Sequence, residues 1–280
     1  MYIRIIPRLD IKGPNLVKGI HLEGLRVLGK PEQYAKHYYE SGADELLYMD
    51  VVASLYERNS LHDIIEKTAK EIFIPLTVGG GIRSIDDIKS ILRAGADKVS
   101  INTAAVRNPN LIKEASQIFG SSTIVVAIEA IRQSDGNFYA FTDNGREITG
   151  LEVVDWSKKV EELGAGEIIL TSVDKEGTGK GFELELIRKV TSAVSIPVVA
   201  HGGAGKLEHI REAVKEGGAS AISLASMLHY DFMANSKVDT TLEEGSSAFI
   251  QGGTSYTNVD KVNIQKIKEY LIESNIQCRI

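Results

Sequence analysis

The sequence predicts an α/β fold of the (β/α)8, or TIM, barrel class, with residues 1–280 forming one barrel made of two half-barrels, about 1–122 and 123–280. Two observations carry this reading. Short apolar runs alternate with amphipathic stretches eight times along the chain. The units also repeat. Gly42-Ala43-Asp44-Glu45, Gly95-Ala96-Asp97-Lys98, Gly164-Ala165-Gly166-Glu167 and Gly217-Gly218-Ala219-Ser220 each open an apolar run. The first two lie 53 residues apart, as do the last two, and the first and third lie 122 apart. Ile74-Pro75 and Ile196-Pro197 return the 122-residue offset and bring Gly80 and Gly81 onto Gly202 and Gly203. An open, doubly wound sheet explains neither the count of eight nor the repeat.

In order, the expected strands are 3–9, 46–50, 74–78, 98–102, 123–129, 167–172, 196–200 and 221–225. They are rich in Ile and Val, as strands covered on both faces should be. The expected helices are 31–41, 59–71, 84–94, 108–118, 151–163, 182–193, 206–216 and 261–274. In 84–94, Ile85, Ile88, Ile91 and Leu92 share one face, and Asn108-Pro109 is a favourable helix start. The segment after the first strand, IKGPNLVKGIHLEGLRVLGK, is long for a barrel loop and reads as a lid or binding loop carrying Lys18. A polar, Gly/Ser/Thr-rich insert at about 230–260 follows the eighth strand and reads as a loop or small cap.

Composition narrows the partners. A net charge of −6 gives no broad cationic face, so nucleic acid is not expected. A small phosphorylated ligand remains compatible, because backbone N–H groups can hold one. No run approaches the ~20 apolar residues of a membrane span. One cysteine, Cys278, cannot form an internal disulfide, and the start MYIRIIPRLD has no leader pattern, so a cytoplasmic setting is expected. No histidine pairs with another ligand at metal-site spacing, and no cofactor is expected.

In such barrels chemistry sits at the carboxyl ends of the strands. The third and seventh strands end in Gly79-Gly80-Gly81 and Gly202-Gly203-Ala204-Gly205. The fourth and eighth end in Asn102-Thr103 and Ala225-Ser226. Two in-register glycine turns, each beside a hydroxyl, read as twin phosphate cradles rather than simple tight turns. Asp10 and Glu129 end the first and fifth strands, corresponding places in the two halves. Opposed across one mouth, they can serve as general acid and base, the alternative being structural carboxylates. Asp50, Thr171, Ser172 and Asp174 can orient substrate hydroxyls or only support the site. At the other end, Arg4, Glu45, Lys98 and Glu167 can form a neutral inward ring or be four exposed turn charges.

The segments RIIPRLDIK, LVKG, DELLYMDVVAS, TVGGGIRS, GADKVSINTAAV, VVAIEA, GAGEIILTSVDKEGTGKGF and HGGAGK resemble the cyclase subunit of imidazole glycerol phosphate synthase over about residues 1–229 and again in the last helix. The resemblance implies a formimino-aminoimidazole-carboxamide ribonucleotide substrate with a phosphate at each end. It also implies ammonia from a glutaminase partner, in a heterodimer docked at the barrel floor. Asp10 and Glu129 then take the acid–base positions, Lys18 the lid, and Arg4, Glu45, Lys98 and Glu167 the ammonia gate. Gly81, Asn102 and Thr103 match one phosphate site; Gly177, Gly203, Ala225 and Ser226 match the other. The chain departs from the family pattern at Glu129 and Glu176 (usually aspartate), Arg8 (cysteine) and His201 (serine). These departures suggest a paralogue that relays ammonia between a glutaminase and a sugar amidotransferase of surface-glycan synthesis.

Overall fold

A computed structural model describes residues 2–53, 61–235 and 259–280 of the chain. Eight parallel strands close on themselves: β1 (Arg4–Lys12), β4 (Leu46–Asp50), β5 (Leu76–Gly79), β6 (Lys98–Ile101), β7 (Ile124–Arg132), β10 (Glu167–Ser172), β11 (Val198–His201) and β12 (Ala221–Leu224). β12 returns to β1 through Arg4–Ala221 and β10 pairs with β7 through Thr171–Glu129, so the barrel has no free edge. Helices Pro31–Glu40, His62–Ala69, Ile85–Ala94, Asn110–Phe119, Val153–Glu162, Leu184–Thr191, Leu207–Lys215 and Ile264–Glu273 follow the strands and bury their apolar stripes on the outer wall. Ser84 starts Ile85–Ala94 with a reciprocal capping box to Asp87, and left-handed Gly95 ends it. Lys268, on the last helix, donates to Gly42 O at 2.7 Å and Asp44 at 2.9 Å, fastening that helix beside the first strands.

Strand alternation sorts the interior. Ile5, Leu9 and Ile11 face the helices, while Ile6 joins Leu47, Val125, Ala127, Ile169, Val199 and Ala221 in an apolar plug inside the barrel. Below that plug stand the four charges expected at the floor. Arg4 bonds Glu45 at 2.9 Å and also Glu167, and Lys98 reaches Glu45 at 3.0 Å and Glu167 at 3.1 Å, giving a closed, alternating, neutral ring. Thr77 donates to Glu45 at 2.6 Å. The reading as exposed turn charges does not hold, because Glu45 and Glu167 are buried. Glu45→Ala leaves Arg4 and Lys98 to share Glu167 alone and the Thr77 hydroxyl without its acceptor, and should lower the unfolding free energy by about 1–3 kcal/mol, read from the chemical denaturation midpoint.

Two segments differ from expectation. The stretch after β1 is not a loop but two antiparallel strands, β2 (Asn15–Ile20) and β3 (Glu23–Gly29), that extend the sheet above the barrel. Gly13, at φ +59°, opens the two-residue Gly13-Pro14 turn into β2. The same addition follows β7, as β8 (Phe138–Thr142) and β9 (Glu147–Glu152). The expected 230–260 loop begins instead as helix: Ser226–Asn235 is one element, and 236–258 lie outside the described residues. So do residues 59 and 60 of the expected second helix. No described helix is long and apolar enough to cross a membrane.

Candidate functional site

The glycine turns, both carboxylates and both hairpins gather at the carboxyl end of the barrel. On one side a cavity of about 240 Å³ is lined by Asp50, Gly80, Gly81, Ser100, Asn102, Thr103 and Glu129, with Arg83 and Arg107 at its wall. Gly80, at φ +97°, must be glycine: a Cβ would stand 2.2 Å from the Asp50 carbonyl. Asn102 donates to Phe141 O at 3.3 Å, and Thr103 accepts from the Asp143 N–H at 3.2 Å, tying this wall to β8. Asp50 folds back on its own loop, accepting from Val52 N at 3.1 Å.

The corresponding place in the other half is much tighter. Lys18, Glu176, Gly177, His201, Gly202, Gly203, Ser223, Ala225 and Ser226 enclose about 20 Å³. Gly203 again allows close approach, since a Cβ would meet the Gly181 carbonyl at 2.1 Å. Lys18 is not a free lid cation. It is buried, bonded to Glu176 and donating to Gly19 O at 2.8 Å. The tip of its hairpin, His21-Leu22, has both residues at positive φ, +54° and +62°. Non-glycine residues enter that region at a cost, and here the tip is held by contacts beyond the hairpin. His21 N donates to Glu176 O at 3.0 Å, His21 Nδ1 lies 2.8 Å from Val173 O, and Leu22 N donates to Glu176 Oε2 at 2.9 Å. Asn144, from the β8–β9 turn, donates to Leu22 O at 3.0 Å, so the two hairpins meet over the mouth.

Asp10 and Glu129 stand at this same end in unlike surroundings. Asp10 accepts from Arg8 Nε at 2.7 Å, and Arg8 Nη1 lies 3.5 Å from Thr171 Oγ1. Burial pushes the Asp10 carboxyl up, but the Arg8 guanidinium and then Lys18 outweigh it, holding Asp10 below its usual range. Glu129 accepts only from the Gly145 N–H, at 2.7 Å, among the described residues, and burial pushes it up to about 7 against the weaker pull of Arg8. Asp174 lies outside this cluster, accepting from Arg132 N at 2.9 Å. Ser172 is buried, with its hydroxyl unpartnered in the protein.

A family model described as "Histidine biosynthesis protein" matches residues 4–233. An imidazole glycerol phosphate synthase subunit HisF of Legionella pneumophila is 62% identical over 206 residues, covering 74% of this chain and 97% of the relative. The HisF subunits of Methanocaldococcus jannaschii and Alkaliphilus metalliredigens are 51% and 45% identical, covering 81% and 86% of this chain and 90% and 96% of those proteins. The chain belongs to the HisF family.

In this HisF-family chain, the residues singled out in the sequence stand at one mouth, and further residues complete its wall. Ser100 and Ser223 face the two cavities from matching places in the repeat, each a serine three residues before the Thr103 or Ser226 that was noticed. That coincidence was available in the sequence. Arg107 and Asn144 carried no such signal, because the short helix Thr103–Arg107 and the β8–β9 turn bring them in. One consequence concerns stability. Glu129 binds its proton more tightly folded (about 7) than at its ordinary 4.5, so its contribution is full below pH 4.5 and lost as pH rises through 7. Glu129→Gln should therefore be more stable than the parent at pH 8, by up to about 3 kcal/mol, and no different at pH 4, in paired denaturation curves.

Proposed function

We propose that the chain is the ammonia-using cyclase subunit of an imidazole glycerol phosphate synthase, acting in the cytoplasm as a heterodimer with a glutaminase at its barrel floor. It converts a bis-phosphorylated formimino-aminoimidazole-carboxamide ribonucleotide into imidazole glycerol phosphate and aminoimidazole carboxamide ribotide. The observation that carries this reading is the pair of unlike buried carboxylates at the mouth, above the neutral ring at the floor. Building a ring nitrogen from ammonia requires protons to leave that nitrogen, and a proton to reach the nitrogen of the departing ribotide. Asp10, held ionised by Arg8, suits the base; Glu129, carrying a proton near neutrality, suits the acid. Gly80, Gly81, Asn102 and Thr103 are proposed to receive one phosphate, and Gly177, Gly202, Gly203, Ala225 and Ser226 the other. Asp50 and Thr171 are proposed to orient the chain between them, and Arg4, Glu45, Lys98 and Glu167 to admit ammonia.

One observation favours a second reading. Arg8 occupies Asp10, and the second cradle, closed by Lys18 and Glu176, has no room for a phosphate. A barrel so arranged suits an ammonia relay between a glutaminase and a sugar amidotransferase of surface-glycan synthesis. Mixing the chain with the ribonucleotide and excess ammonium salt separates the two. Substrate loss supports the cyclase; no loss, with glutaminase binding retained, supports the relay.

A further inference from the structure

The apolar plug ends abruptly. Two residues further along each strand, and so on the same inward face, Ala127, Ile169, Val199 and Ala221 give way to Glu129, Thr171, His201 and Ser223. These four are register partners across β7, β10, β11 and β12, forming one continuous polar row at the top of the barrel interior. Two members are unsatisfied. His201 Nε2 and Ser223 Oγ are buried and have no hydrogen-bond partner in the protein, although both residues line the 20 Å³ cavity. A buried orphan is unfavourable unless a ligand meets it.

The chemistry of that ligand can be read from the ring. His201 Nδ1 lies 3.1 Å from the Ser223 carbonyl, which can only accept, so Nδ1 carries the hydrogen and Nε2 is a bare lone pair. Burial, then the Arg8 charge, push the imidazole down to about 4 and keep it neutral. Asp10 from β1 and Glu176 from the loop after β10 act in the opposite sense, and Lys18 from β2 is paired to Glu176. His229, from Ser226–Asn235, is itself held neutral. A phosphate, which mainly accepts, gains nothing from a bare Nε2. A water-sized hydrogen-bond donor fits both the lone pair and the space.

We infer that His201 and Ser223 form a docking point for one molecule of ammonia at the top of the barrel interior. The inference rests on the reading of the barrel as an ammonia carrier, and holds for either the cyclase or the relay. Ammonia donates one N–H to His201 Nε2 and bonds Ser223 Oγ, while Thr171 and Glu129 continue the row toward the larger cavity.

The test is a titration of the full chain, 15N-labelled in histidine, with ammonium chloride, and with potassium chloride at equal ionic strength. The His201 signal is assigned by its loss in His201→Ser. The Nε2 resonance should move saturably with the ammonium salt alone. Its half-saturating total concentration should fall about tenfold per pH unit while ammonium predominates, because the free base binds. Ser223→Ala should weaken binding about two- to tenfold. No saturable shift, an equal shift with potassium, or a midpoint independent of pH overturns the dock. Ribonucleotide turnover with ammonium salt but no His201 response overturns the dock and leaves the cyclase reading intact. A His201 response without turnover supports the dock and removes the cyclase reading instead.

Discussion

Replacing Asp10 by asparagine should lower ammonia-dependent turnover of the ribonucleotide by at least about 100-fold, the lower bound for losing a positioned proton-transfer group. Glu129→Gln should do the same, and the parent's pH profile tells the two roles apart. Glu129 titrates near 7 and is proposed as the acid, so kcat/KM should fall as pH rises through 7 and its protonated form disappears. Asp10 lies below its usual range and should give the acid-side fall, well under neutrality. Asp10→Asn also strands the buried Arg8 guanidinium, so melting of this variant should drop, whereas Glu129→Gln should not melt earlier above neutral pH. Initial rates from pH 5 to 9 on parent and both variants check all of this. Undiminished turnover in Asp10→Asn would remove the acid–base proposal.

The second large effect concerns the hairpin. Lys18→Met should reduce the unfolding free energy by about 3–5 kcal/mol, because it leaves Glu176 charged, buried and without its cation. Glu176 also receives the N–H of Leu22, and its backbone that of His21, so any move of Glu176 toward solvent loosens the strained tip. Amide exchange in 15–29 should rise well ahead of exchange in the barrel strands. The double change Lys18→Met with Glu176→Gln should recover part of the stability, since no lone charge then remains and the amide oxygen can still accept from Leu22 N. A lysine variant as stable as the parent would show that the pair contributes little.

Much of this was legible because the chain repeats. A spacing of 53 within 122 residues located the strands, and with them Gly80, Gly81, Gly202 and Gly203 at the ends where a barrel gathers its ligands. The parity of short buried strands brought Arg4, Glu45, Lys98 and Glu167 to one level, although only coordinates could tell a closed ring from scattered turn charges. Less was legible where side chains decide the outcome. Nothing in the spacing shows Lys18 turned into Glu176 rather than into an open cavity, because a lysine in an alternating segment reads the same either way. The β2–β3 pair carries no turn signature, because His21-Leu22 take positive φ without glycine, whereas Asn144-Gly145 in the β8–β9 turn is a hairpin signal that the sequence did hold. Arg8 and His201 were visible only as departures from a resembling family. The ion pair and the bare nitrogen came from the fold.

The two halves share a plan but not a capacity, and the difference gives the mouth a direction. On the proposed function, a double-ended guest would meet an open berth beside β5 and β6 and a shut one beside β11 and β12, so its far end would settle only once the latch of Lys18 and Glu176 had let go.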